Sequence, residues 1–273
     1  MSVGILVPGV LGRMGQLIAS AALDDSRHSL LGVSIRPGHP QLGADIGDAL
    51  RRGPVGLPLT DALSEPATGT GGRSTSGRAV VIDFSVPEMC ELHARQAQER
   101  GWALVVGTTG LAPDAQQALD AAARSVPVLV ASNTSLGANL LMALTSQAAG
   151  AIPDADVEIV ELHHRHKKDA PSGTAISLAQ AAASARKQTF DDVKRYERAG
   201  MAPRQSGEIG VFGVRGGDVA GEHTVHLFLE GERIELTHRV SDRRIFALGA
   251  LAAARFLAEQ APGHYTMRDV LGL

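Results

Sequence analysis

Glu161 to Ala175 reads E-L-H-H-R-H-K-K-D-A-P-S-G-T-A, and His163, His164, Arg165, His166, Lys167 and Lys168 fill six consecutive positions in it. Imidazoles exchange protons near neutral pH, and an ammonium group can donate a proton or hold an anion. Cations this closely spaced repel one another, so the histidines and Lys167 imply an anionic partner. A solvated basic loop accounts for Arg165 and Lys168, and neither they nor His166 receive a role. Pro171 and Ser172 mark the start of a helix, Gly173 to about Lys187, with Ser172 as its cap. The N-terminus formed by Ser172, Gly173 and Thr174 would dock a carboxylate as it would a phosphate. His163, His164 and Lys167 could then bind a second carboxylate or deliver a proton to a reacting carbon. A small dicarboxylate with a reducible double bond suits this set. A metal site at His164-x-His166 is disfavoured by the adjacent lysines, the absence of cysteine nearby and the single acid Asp169, so no metal is expected.

The elements that must position these residues fall into two patterns. The chain has 273 residues, a formal charge of -3 and 44% hydrophobic residues, which allows two modest domains and gives no reason to expect nucleic acid. A lone cysteine, Cys90, excludes an internal disulfide and points to a reducing, cytoplasmic setting. The N-terminus shows no signal peptide, and the longest apolar segment, Gly137 to Ile152, is too short and too often interrupted to span a membrane. With aromatics at 3%, packing must rest on aliphatic side chains and on close helix–sheet contact through alanine and glycine.

Up to about residue 134, strand and helix alternate. Val3 to Val7 leads into Gly9, Gly12 and Gly15, and apolar positions at helical spacing follow from Met14. A strand, a glycine turn and a helix N-terminus form a dinucleotide site, here spaced G-x-x-G-x-x-G with Arg13 inside the loop. The strand Leu30 to Ile35 ends at Arg36 rather than at the acid that holds a ribose 2'-hydroxyl, which points to NADPH, with NADH the alternative. Strands at Ala79 to Phe84, Trp102 to Val106 and Val126 to Val130 end in small or hydroxylated residues, as ligand crevices of open α/β sheets do. Helices are expected at Pro87 to Arg100 and Pro113 to Arg124, and Glu65 to Arg78 reads as a flexible surface insertion.

Beyond residue 134 the rhythm changes. The sequence predicts a helix over Leu136 to Ile152, a strand over Val157 to Leu162 and a long exposed loop over Gln188 to Gly207. Glu208 to Val214 reads as extended. His223 to Glu230 and Arg233 to Val240 alternate as an antiparallel pair, with Ile234, Leu236 and Val240 inward. A last helix, Ile245 to Ala258, is expected to return to the first sheet. The fold class is therefore α/β: a doubly wound Rossmann-type parallel sheet with a second α+β domain on a mainly antiparallel sheet. Residues 1–134 plus 244–273 form the expected dinucleotide-binding domain, and 135–243 the substrate-binding and oligomerisation domain. A hinge between them is expected to permit closure.

His163 to Ala175 resembles the signature of the dihydrodipicolinate reductase family. G-R-M-G at Gly12, D-F-S at Asp83, G-T-T-G at Gly107 and R-x-G-D-x-x-G-E-H at Arg215 fall in the family's order. The resemblance implies reduction of a cyclic dicarboxylate imine by NADPH or NADH, with hydride going to ring C4 and an enzyme acid protonating the adjacent position. It implies His163 as general acid/base and Lys167 as a proton donor that also binds substrate. His164, Gly173 and Thr174 would hold the dicarboxylate, assisted by Ser172. The cofactor would be lined by Gly9, Val10, Leu11, Gly12, Arg13 and Met14, by Arg36, and by Asp83, Phe84 and Ser85. Gly107, Thr108 and Thr109, then Ala131, Ser132, Asn133 and Thr134, would complete that lining. A homotetramer assembled through the second sheet is implied as well. Leu11, Arg36, Thr134 and the Glu65 to Arg78 insertion depart from the family's usual pattern. The alternatives are another NAD(P)-dependent dehydrogenase of aspartate-family metabolism, which should lack the H-H-R-H-K cluster, and a non-catalytic NADP-binding regulator.

Overall fold

A computed structural model describes residues 2–64 and 78–273, so the expected surface insertion, apart from Arg78, lies outside the described residues. The chain divides into two compact units, Met1–Ser135 with Arg244–Gly272, and Leu136–Arg243 with Leu273.

The first unit takes the chain in the order β1 (Val3–Pro8), α1 (Arg13–Asp24), β2 (His28–Ser34), α2 (Ile46–Ala49), β3 (Val80–Asp83), α3 (Pro87–Arg100), β4 (Ala103–Val106), α4 (Pro113–Ala122) and β5 (Pro127–Val130). Every strand of its sheet pairs in parallel. A parallel strand is buried on both faces, and side chains alternate accordingly. Ile5, Val7, Val80, Ile82, Ala103 and Val105 pack on the face that carries α1. Leu6, Val81, Leu104 and Val106 pack on the other, against Cys90 and Ala94 of α3 and Leu119 of α4. In the second unit come α5 (Leu136–Ala151), β6 (Asp156–His163), α6 (Gly173–Ala185), α7 (Phe190–Val193), β7 (Lys194–Arg195), β8 (Ile209–Arg215), β9 (Gly221–Leu229) and β10 (Glu232–Val240). The chain then re-enters the first unit as α8 (Arg244–Ala258), β11 (Gly263–Tyr265) and α9 (Met267–Leu271). Helix α8 buries Ala247, Ala250, Leu251 and Ala254 against the α1 face. The order of the six-stranded sheet formed by the described residues is β11-β5-β4-β3-β1-β2. Because β2 and β3 flank β1 on opposite sides, the chain reverses direction across the sheet there, and ligands of open α/β sheets bind at such a point.

In the second unit the order is β10-β9-β6-β8-β7. The sheet is mixed: β10, β9 and β6 pair antiparallel, whereas β8 and β7 continue in parallel. Val157, Ile159, Val211, Val225 and Leu227 form its core with Leu141 of α5 and Leu178 and Ala182 of α6. Two expectations are corrected here. Ile234 shares the face of Leu227, its buried register partner, but is 38% exposed, since it lies near the start of edge strand β10. The segment expected to be an irregular loop holds α7 and β7, and its charges are spent on the sheet edge rather than on water. Arg198 grips Glu158 with two hydrogen bonds of 2.8 and 2.9 Å and also pairs with Glu208, and Arg204 pairs with Glu158 as well. No helix among the described residues is long and apolar enough to cross a membrane.

Candidate active site

The glycine turn after β1 has the features of a phosphate cradle. Gly9 adopts φ 62°, a left-handed conformation that suits glycine, and the Gly12 N–H donates to its carbonyl at 2.9 Å. Gly15 packs directly on the turn: a Cβ there would stand 2.7 Å from both the Gly9 oxygen and the Val10 Cα. Gly12 caps α1 without any side-chain hydrogen bond, so the first N–H groups of a twelve-residue helix are left for a ligand. Arg13 and Arg36 are exposed and make no ion pair among the described residues. Val10 is buried, while Leu11 and Met14 are half-buried against the core. These features fit a dinucleotide.

The ends of β3 and β4 converge on Asp83, which is fully buried. Its Oδ1 accepts from the Ser85 N–H at 2.8 Å, the Ser85 hydroxyl at 2.6 Å and the Thr108 hydroxyl at 3.1 Å, and Oδ2 lies 2.7 Å from Nδ1 of buried His93. Burial alone would raise the Asp83 pKa, but the bonds from His93 and Ser85 hold it below the ordinary carboxylate range. Asp83 therefore orders two loops from within, and Phe84, Ser85, Gly107 and Thr109 retain surface. Ser132 is exposed and Asn133 accepts from the Ser135 N–H at 2.9 Å. Ala131 bonds back to Val106, and Thr134 is buried with its hydroxyl on the Phe246 carbonyl.

In the second unit, β6 delivers His163 and His164 to its end. His163 is mostly buried, with a side chain 12% exposed. Its Nδ1 lies 2.5 Å from Oε2 of Glu161, and the Glu161 carboxylate is fully buried. Arg215 donates to both Glu161 oxygens at 2.7 and 2.9 Å, and the Ser172 N–H donates to Oε1 at 3.0 Å. Burial pushes Glu161 up, but Arg215, His163 and Ser172 outweigh it and hold the acid ionised. Burial depresses the His163 pKa, against the pull of Glu161 and with help from Lys167 and Arg215. Lys167 chelates Asp169 with two bonds of 2.8 Å, which lowers the Asp169 pKa. Ser172 is buried: its hydroxyl accepts from the Ala175 N–H and meets His223 Nε2 at 3.0 Å. Gly173 and Thr174 stand at the start of α6. His164 borders an open cleft of about 760 Å³ with Arg165, His166, Gly217 and Asp218, a size that admits a small ligand. His163 and Lys167 lie outside that lining.

Sequence reasoning missed Glu161, Arg215 and His223 as members of this cluster. Glu161 was within reach, because residues i and i+2 on a strand share a face. Arg215 and His223 were not, because they arrive by register: Arg215 pairs with His163 across β8, and His223 with Glu161 across β9. No group of three potential metal ligands occurs among the described residues.

Comparison with known proteins agrees along the chain. The family model "Dihydrodipicolinate reductase, N-terminus" matches residues 3–134, and "Dihydrodipicolinate reductase, C-terminus" matches 137–271. A 4-hydroxy-tetrahydrodipicolinate reductase of Myxococcus xanthus is 44% identical over 98% of this chain and 97% of its own. Another, from Rubrobacter xylanophilus, is 42% identical over the same shares. Among solved structures, a dipicolinate-bound dihydrodipicolinate reductase from Paenisporosarcina sp. TG-14 superposes with a TM-score of 0.75, covering 97% of this chain and 98% of its own at 22% identity, which speaks for the fold. An amine dehydrogenase from Mycobacterium smegmatis shares the fold more loosely, with a TM-score of 0.61 at 16% identity, covering 98% and 95%. The chain belongs to the dihydrodipicolinate reductase family of NAD(P)H-dependent oxidoreductases.

Proposed function

We propose that the protein reduces 4-hydroxy-tetrahydrodipicolinate to tetrahydrodipicolinate in the diaminopimelate route to lysine, with NADPH as the preferred reductant over NADH. The observation that carries the reading is the Glu161-braced His163 beside Lys167 and the α6 N-terminus, in a chain about 44% identical to a reductase of that name. In the reaction a hydride and a proton are added and the ring hydroxyl leaves as water. The cofactor, when bound, supplies the hydride, and the Gly9–Met14 turn, Ser85 and the Gly107–Thr109 turn would hold it. Arg13 and Arg36, both without protein partners among the described residues, favour a 2'-phosphate, which a guanidinium binds through two parallel hydrogen bonds.

Gly173, Thr174 and His164 would hold the substrate carboxylates, with Ser172 fixing the helix start from beneath. Lys167 would exchange Asp169 for a substrate carboxylate at little electrostatic cost, because one anion replaces another. His163 would pass the proton. Exposed Val214 and Phe228 on the sheet face away from α5 and α6 support self-association into a homotetramer, which sedimentation velocity checks. Cytoplasmic residence accords with the single free cysteine, buried Cys90.

The test follows nicotinamide absorbance when the protein is mixed with NADPH and freshly made product of dihydrodipicolinate synthase. Rapid loss of the NADPH band supports the reading. NADPH binding without oxidation overturns it.

A further inference from the structure

The segment Arg215 to His223 has no part in the function proposed above, which uses Glu161 only as a brace against His163 and gives it no role in the proton transfer. The geometry supplies one. Glu161 is wholly buried, and its carboxylate collects four partners: two Arg215 nitrogens, the Ser172 N–H and His163 Nδ1. Gly213 makes room for this fork, since a Cβ there would stand 2.8 Å from Glu161 Oε1 and 3.2 Å from an Arg215 nitrogen. On the far side of the imidazole, Nε2 makes no hydrogen bond among the described residues, and Gly221 faces it without a side chain. A Cβ at Gly221 would stand 3.1 Å from Nε2.

We infer that Glu161 is the positioning residue of the acid/base histidine: its carboxylate takes the Nδ1–H of His163, so that Nε2 exchanges the proton with substrate, and Arg215 fixes the carboxylate. The inference rests on His163 as the proton-transfer group. An ionised carboxylate has no hydrogen to give, so the short contact places the hydrogen on Nδ1. In the protonation step the Nε2–H bond breaks and the carbon–hydrogen bond forms. The N–H electron pair stays on Nε2, leaving a neutral imidazole still anchored through Nδ1. Arg215 also donates to the Asp169 carbonyl at 2.7 Å, which ties the carboxylate to the loop that carries Lys167. Ser172 joins the same carboxylate to the helix start, and through its hydroxyl to His223.

The charged and titratable groups facing His163 are Glu161 on its own strand, Arg215 on β8, Lys167 on the following loop and His223 on β9, whose ring stands edge-on at 5.3 Å. Of these only Glu161 favours the imidazolium. A neutral amide in its place therefore makes His163 harder to protonate and leaves Nδ1 free to choose either tautomer.

The experiment compares the full chain with Glu161→Gln, Glu161→Asp and His163→Ala. It measures kcat and KM for substrate, the pH profile of kcat/KM, and NADPH affinity by fluorescence. Glu161→Gln should lower kcat about a hundredfold, the scale of general acid–base catalysis, with NADPH affinity within about twofold of the parent. The inflection carried by His163 should move to lower pH. Glu161→Asp keeps the charge but withdraws it by one methylene, so it should leave the inflection in place and lose less kcat; this variant decides the matter where the glutamine form does not fold. An unmoved inflection and unchanged kcat in Glu161→Gln, or in Glu161→Asp an inflection that moves or a kcat that is unchanged, overturns the inference while His163→Ala remains inactive. Full activity in His163→Ala overturns the functional reading beneath it.

Discussion

His223 makes the second unit sensitive to acid by an amount that follows from its surroundings. The ring is 4% exposed, its Nε2 meets Ser172, and its Nδ1 has no hydrogen-bond partner among the described residues. Burial is the main reason its pKa is lowered to about 4, and neighbouring His163 adds to it. The sign follows from proton counting. Between pH 6.5 and 4 the unfolded chain binds a proton at this position and the folded chain does not, so stability is lost as pH falls through that window. With a folded value of about 4 against 6.5 unfolded, the loss between pH 7.5 and 4.5 is about 2.5 kcal/mol. His223→Gln keeps an amide near the Nε2 position for Ser172 and removes the titration. Urea unfolding followed by circular dichroism should show the variant less stable than the parent, or equal to it, at pH 7.5. Its standing relative to the parent should improve by about 2.5 kcal/mol at pH 4.5. A difference between the two proteins that stays constant across this range would refute the reasoning.

Two further outcomes are expected. Gly15→Ala drives a Cβ to 2.7 Å from the Gly9 oxygen and the Val10 Cα, backbone atoms that cannot step aside. It should cost about 2 kcal/mol of stability by overpacking and weaken NADPH binding measured by fluorescence. Arg36→Ala should weaken NADPH binding at least tenfold while NADH affinity stays level, since one charge-assisted contact to a phosphate is worth about 2 kcal/mol. Equal losses for both cofactors would contradict the assignment of Arg36 to the 2'-phosphate.

Much of the fold could be read in the sequence because parallel strands such as Ala103–Val106 are continuous apolar runs, and Val80–Asp83 is one up to its final acid, bounded by helices with clear starts and stops, Pro87 and Gly101 among them. What escaped was short or depended on distant partners. β11 is only three residues long, too few to display a period, and exists through pairing with β5. Arg198 and Arg204 read as solvent-facing charges because Glu158, their counterion, lies some forty positions earlier. The reactive cluster announced itself by residue type. Its buttress did not: a lone glutamate, an arginine and a histidine acquire meaning only when strand register puts Arg215 opposite His163 and His223 opposite Glu161. Ser172 shows the same limit. Sequence placed it at a helix start, and the structure adds that its polar atoms are engaged with Glu161, His223 and Ala175.

The most direct test of the central claim is the double variant His163→Ala, Lys167→Ala, assayed for NADPH oxidation with substrate and, separately, for NADPH binding. Removing both proposed proton-transfer groups should cut turnover by at least about a thousandfold while NADPH binds as in the parent. Turnover equal to that of the parent would contradict the account.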